Sequence, residues 1–445
     1  MKLLTCISLL VFGEAFGFTR LFDASSSRRY LVRQSKLSPP FNRLEGDNFT
    51  VLKMAKGFGK KTEKSASQQQ AEFQSALAKL QAEDVPILGC DADQPHSFSA
   101  AIWTTLSEVS ESDEEQKMCV VFEKIPMSGL ASFIEDFSVL KMQQRLIEQL
   151  PELERISVSL LEKGVGPALV IETAPRTDEE IAQKLERSSS EKSYIEENAE
   201  RAMRSFVDRL VVGEKACPFT KDSRVAGIGL EAQGIKPGPV GYRFGSSSEV
   251  CAILASFWTS ICELMGTPED ELSTILLCLP AVAPGTSKEA HDRFAAVVEV
   301  VGRYLFLFKG AEIFGLVHFH PAYDRSRIQP FDKPAFGHLP PRNWLRPIIE
   351  KNGNEKEANN LTDEELELSD YQRRAPFTMI NILRNSQVNA AAGPYSIVDL
   401  PLPDGTLTKA SGILTYSRNT IAMATKGKQS LQSGLEKEMS LAYMK

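Results

Sequence analysis

Apolar residues recur at two different periods along the second half of the chain. Ile195, Ala199, Ala202, Met203, Phe206 and Leu210 fall on one face at helical spacing, and Gly213 is placed to end that helix. A strand follows at 240–244, a helix at 250–265, a strand at 273–279, a long helix at 288–308 and a strand at 313–320. Strands alternating with helices of this length predict an α/β fold with helices packed on a sheet, parallel only where each helix is a crossover. The first half carries a smaller pattern. Residues 118–123 read as a buried strand, and 128–150 as an amphipathic helix stopped by Pro151. The alternation of Ile156, Val158 and Leu160 and the apolar run 168–172 add two strands, giving a β-α-β-β module. Its element order echoes the second domain without amounting to a sequence repeat. Phe73, Ala76, Leu77 and Leu80 have the spacing of one short helix.

Polar stretches divide this pattern. The run "APRTDEEIAQKLERSSSEKS" marks a boundary near 175–190. The expected layout is a signal peptide at 1–17, a transit-peptide-like segment at 18–55, a polar linker at 56–82 and the small module at 83–175. The main domain then spans 188–425, interrupted by a Pro- and charge-rich insertion at 325–370, with a tail at 426–445. Within the insertion, Thr362 and Glu365 have the spacing of a capping box and predict a short acidic helix. The acid run reads as a solvated surface, with a docking site as the sharper alternative.

Charge and cysteine usage narrow the function classes. The net charge is −7, and residues 1–40 hold six Lys/Arg against two acids, which leaves the remainder at −11. An acidic body is a poor partner for nucleic acid, whose affinity comes largely from Lys/Arg at phosphates. Beyond the N-terminus no apolar run reaches the roughly 20 residues that a membrane helix needs. Cys119 and Cys278 sit in strand-like runs, and Cys251 and Cys262 share one helical face. These four read as buried hydrophobes in a reducing compartment. The leader has Lys2, an apolar stretch at 3–12 and small residues in "GEAFGF", followed by an Arg/Ser-rich, acid-poor segment. With Phe16 or Phe18 first after cleavage, it is similar to the bipartite leaders of diatom-type complex plastids. That implies the stroma; plain secretion is the alternative.

Four fragments stand in order along the main domain: "LVVGEKACPF", "GLVHFHPAY", "YQRRAPFTMINILR" and "YSRNTIAM". Together they resemble the domain-of-unknown-function 1415 family. That family has a Cys-Pro-Phe after its first helix, a Phe-His-Pro after a strand, an Asn-Arg-Ser/Ala-Pro-Tyr/Phe run opening a helix, and a late Arg-Asn pair. The resemblance carries over to Cys217, Pro218 and Phe219, to Phe319, His320 and Pro321, to Arg374, Pro376 and Phe377, and to Arg418 and Asn419. Three departures stand out: Arg373 where the family commonly has Asn, the extra His318, and a longer stretch between Pro321 and Tyr371.

These residues suggest three chemistries. A free thiol is only about 3% thiolate at pH 7, so Cys217 as a nucleophile needs a base or positive charge; His320 is the candidate base and Asp324 the nearest orienter. His318 and His320, two apart on a strand, point to one side and form an alternative metal pair, with Cys217, Asp324 or His338 to complete it. Arg374 just before Pro376 predicts a guanidinium beside a helix N-terminus, an anion site that Arg418, Asn419 and Arg243 can join. No Walker loop, G-x-G-x-x-G, G-x-S-x-G, H-E-x-x-H or C-x-x-C is present. The expectation is a small-molecule enzyme using Cys217 and His320 on an anionic substrate. A non-catalytic interaction or assembly protein is the rival. Cofactor and oligomeric state are unspecified.

Overall fold

The structure, a computed structural model, describes residues 41–43, 66–190, 194–217, 220–328, 336–392 and 397–443. The signal-peptide segment, all of the transit-peptide-like segment except 41–43, and Pro218 and Phe219 lie outside the described residues. The chain divides into two compact units after Thr177. No helix among the described residues is long and apolar enough to cross a membrane.

The first unit contains β1 (Phe41–Arg43), α1 (Ala66–Ala82), β2 (Ile87–Cys90), α2 (Pro95–Glu111), β3 (Gln116–Phe122), α3 (Met127–Lys141), α4 (Gln144–Gln149), β4 (Ile156–Leu160) and β5 (Ala168–Thr173). The sheet order is β1-β2-β3-β5-β4, with β2 and β3 parallel and the other pairs antiparallel. The spacing of Phe73, Ala76, Leu77 and Leu80 does make a helix, but α1 is no appendage of a linker. Those four side chains pack with Cys119 and Val121 in the core. A second cluster joins α2 and α3 through the rings of Phe98, Trp103, Phe133 and Phe137. From β2 onward the order is β-α-β-α-β-β, which puts β2 and α2 ahead of the β-α-β-β pattern expected, and β1 is a further strand that the pattern did not include.

The second unit opens with α5 (Asp178–Ser190) and α6 (Glu196–Phe206), and α6 widens into a π-helical segment at Val207–Gly213. Then come β6 (Val225–Ala226), β7 (Gly238–Phe244), α7 (Val250–Gly266), β8 (Thr274–Leu279), α8 (Lys288–Leu307) and β9 (Phe314–Phe319). β6 was not expected, and β7, α7, β8, α8 and β9 match the sequence expectation to within a residue or two. The "YQRRAPFTMINILR" fragment does not. It was expected to open a helix at Pro376, and it forms β10 (Thr378–Arg384) instead. This strand lies between β8 and β9, antiparallel to both, in the order β6-β7-β8-β10-β9. A central strand buries both faces, so its apolar run has no clear period of two and passes for buried helix.

The described residues of the 325–370 insertion are folded rather than a loose excursion. It holds α9 (Arg325–Ile328), α10 (Leu345–Lys351), α11 (Glu355–Asn360) and α12 (Asp363–Glu367), the last with the expected Thr362–Glu365 capping box. Trp344 and Ile348 pack with Leu400, Leu402 and Ala410, while Leu345, Ile349, Ala358 and Leu366 form a second cluster. Its two ends are joined where the Arg325 guanidinium, 1% exposed, meets the equally buried Asp370 carboxylate. After α13 (Asn385–Ala392) come β11 (Val398–Pro401), β12 (Leu407–Ala410), α14 (Ile413–Lys426) and α15 (Lys428–Ala442). The expected tail is α15, whose Leu431 and Leu435 join the core under α6.

Candidate functional site

The loop after α6 is held residue by residue. The Glu214 carboxylate pairs with Lys426, the Lys215 carbonyl accepts from the Arg418 guanidinium, and the Ala216 carbonyl accepts from Asn419 Nδ2 at 2.7 Å. All three holding residues belong to α14. Lys215 has φ +54°, a left-handed conformation that costs a non-glycine residue energy unless its surroundings enforce it. A π-turn before it and three clamps on it place the next residue, half-buried Cys217, whose N–H donates to Val211 O at 3.4 Å.

Asn419 also reaches the third fragment. Its Nδ2 donates to Gln372 Oε1 at 2.8 Å, so one side-chain amide joins Ala216 to the residue before Arg373. The Arg373 carbonyl accepts from the His320 N–H at 3.0 Å, and its guanidinium lies 5.2 Å over the Phe319 ring. Arg374 Nε donates to Tyr323 O at 3.1 Å, with its guanidinium 4.3 Å over the Tyr371 ring. The four fragments thus meet at one end of the sheet. Among the described residues neither Arg373 nor Arg374 has a carboxylate partner.

His320 is fixed by the backbone. Its Nδ1 accepts from the Ala322 N–H at 3.0 Å, so Nε2 carries the proton and donates to Ala283 O at 2.9 Å. The ring stacks on Phe294 at 4.8 Å. Burial pushes its pKa down to about 3. With both nitrogens engaged it offers no lone pair to a thiol proton or to a metal. Asp324 does not orient it either. That carboxylate accepts from Ser326 and pairs with Arg342, while its N–H donates to His291 Nε2 at 3.1 Å. The His318 ring lies tilted against that of His338 at 4.7 Å, and its pKa is likewise pushed down by burial to about 3. The His318/His320 pair therefore brings one free nitrogen rather than two. No group of three His, Cys, Asp or Glu among the described residues could hold a metal.

Residues 198–344 match the model of a family described as a protein of unknown function (DUF1415). The family match runs from α6 past β9 and ends at Trp344. It takes in Cys217 and the Phe319–His320–Pro321 run. The Arg373–Arg374 and Arg418–Asn419 pairs lie beyond it, joined to the matched part by the contacts above. No curated protein and no solved structure matches the chain.

The remaining expected residues fall differently. Arg243 alternates with Tyr242 on β7, so the two side chains take opposite faces. Tyr242 packs with α6, whereas the Arg243 guanidinium forms a two-pronged pair with Glu263 on α7. Arg243 thus does not join Arg374. Arg418 and Asn419 are in the cluster, but their polar groups hold the Cys217 loop. The predicted helix N-terminus beside Arg374 is replaced by β10, which removes the dipole half of the expected anion site. Arg373, Gln372, Glu214 and Lys426 were not singled out as site residues. Only the Arg-Arg dipeptide gave a local signal.

Proposed function

We propose that the second unit binds a small anionic molecule at Arg373 and Arg374, beside Cys217, and that it is an enzyme whose reacting group is the Cys217 thiol. The observation that supports this is the adjacent arginine pair, without carboxylate partners among the described residues, joined through the Asn419 amide to a thiol-bearing loop clamped at three successive residues. A partly buried guanidinium without an anion has given up hydration for little return, and a carboxylate or phosphate restores a charge-assisted hydrogen bond. His320 serves as a scaffold for the Phe319–Tyr323 turn. Inorganic phosphate is expected to slow alkylation of Cys217 by iodoacetamide in the native chain and to leave it unchanged in Arg374→Ala. Equal rates with and without phosphate in the native chain would refute anion binding here.

One observation favours a second, non-catalytic reading: His320, the expected base, has no free nitrogen to take a proton. In that case Cys217 reacts no faster than an ordinary thiol, although phosphate still protects it. We further propose a plastid location, which rests on the leader. Residues 1–45 fused to a fluorescent protein should enter the plastid, and Phe16→Ala with Phe18→Ala should leave it outside. Secretion of the unmodified fusion would contradict this.

A further inference from the structure

The two units share one topology. In each, a parallel pair joined by a helix is followed by a second helix and two further strands, and the last strand inserts antiparallel beside the pair. The orders β2-β3-β5-β4 and β7-β8-β10-β9 correspond strand for strand, whereas the antiparallel edge strands do not, since β1 precedes α1 and β6 follows α6. The helix that precedes each parallel pair buries residues at the same spacing: Phe73, Ala76, Leu77 and Leu80 in α1, and Ala199, Ala202, Met203 and Phe206 in α6.

The crossover helices α2 and α7 are both 17 residues long, and each has tryptophan at its ninth position. Set side by side without a gap, they share Ala100 with Ala255, Trp103 with Trp258, Thr104 with Thr259 and Glu108 with Glu263. Thr105 and Ser260, also equivalent, both donate to the carbonyl four residues back, at 3.1 and 2.8 Å. Chance agreement in strand order does not bring the same helix length and tryptophan position with it.

The copies differ where the site lies. The first connects α1 to β2 through 83–86, whereas the second inserts 214–237, the segment that carries Cys217. Where β9 runs into Phe319, His320 and Pro321 and then the long insertion, β4 runs into Leu160, Leu161 and Glu162 and turns straight back. That turn closes onto α1: a Cβ on Gly166 would lie 2.1 Å from the Phe73 ring. Nothing like α14 follows β5 within the first unit.

We infer that the chain is a tandem duplication of one βαβαββ fold, and that anion binding is confined to the second copy because Cys217, Arg373 and Arg374 all lie in segments the first lacks. The binding half rests on the function proposed above; the duplication half does not. Inter-strand nuclear Overhauser contacts measured on the full chain should show β2 and β3 parallel, with β5 between β3 and β4. An antiparallel β2–β3 pair or another strand order overturns the duplication. Calorimetric titration of the full chain with inorganic phosphate should give one site, lost in the Arg373→Ala/Arg374→Ala double variant. Two sites, or binding that survives in the double variant, overturns the confinement. Absence of any phosphate binding removes the confinement together with the proposed function, and leaves the duplication to the first measurement.

Discussion

Between pH 7.5 and pH 5 the second unit is expected to lose about 6 kcal/mol of stability, comparable with the whole stability of many domains. His291, His318 and His320 are each at most 1% exposed, and burial is the first cause that lowers their pKa values, to about 4, 3 and 3. In the unfolded chain they titrate near 6.5. Because the folded values lie below the unfolded one, stability is intact above about pH 6.5 and falls as the pH drops towards the folded values. At pH 5 the unfolded chain has taken up a proton at each site while the folded chain has not, at about 2 kcal/mol per histidine. Since pH 5 lies above all three folded values, the loss depends mainly on the unfolded pKa. His338, also lowered by burial and by the neighbouring His318, adds in the same direction. Denaturant midpoints at the two pH values measure this directly. An unchanged midpoint would mean that these rings are not held neutral in the folded protein.

The second large effect is expected at the insertion. Arg325 donates to Asp370, to Pro340 O at 2.8 Å and to Ser369 Oγ at 2.6 Å, and both members of the ion pair are 1% exposed. Removing Arg325 leaves the buried Asp370 carboxylate with the partly exposed Arg342, at 3.2 Å, as its remaining ion-pair partner. Arg325→Ala should therefore cost about 3–5 kcal/mol, and it should open 325–370 to proteolysis. An exposed pair would give about 0–1 kcal/mol. Replacing both residues by leucine should recover much of the loss, because apolar side chains leave no unpaired charge. A change in the denaturation midpoint equivalent to less than 1 kcal/mol for Arg325→Ala would show that the pair does not tie the insertion down.

Local pattern was enough to find most of the second unit. α6, β7, α7, β8, α8 and β9 each have one apolar face or a short uninterrupted run, and both signals survive in a single sequence. The failures have physical causes. β10 is buried on both faces, and Pro376 ahead of it is as compatible with a strand entry as with a helix start. α2 was missed because serine and threonine interrupt its apolar face. Ser99 and Thr105 are nevertheless buried, each donating to the carbonyl four residues back. The site was half legible. Fragment order pointed to Cys217, His320, Arg374 and Asn419, and these segments do meet. Their roles were not legible, since the Asn419 bonds to Ala216 and Gln372 and the His320 bond to Ala283 join residues far apart in the chain. Arg243 was drawn into the cluster by charge alone, and its Glu263 partner is visible only once α7 is packed on the sheet.

The central claim is that Arg373 and Arg374 attract an anion to Cys217. The most direct measurement compares two alkylating agents of nearly the same size, anionic iodoacetate and neutral iodoacetamide, at the mapped Cys217 peptide. The ratio of their rates in the folded chain is set against the ratio at the same thiol in denaturant. Favourable binding of one unit charge by about 1.4 kcal/mol is a factor of ten. The folded native chain should favour iodoacetate about tenfold relative to the unfolded reference, and Arg373→Ala/Arg374→Ala should return to that reference. The same ratio in the folded native chain as in denaturant would contradict the account.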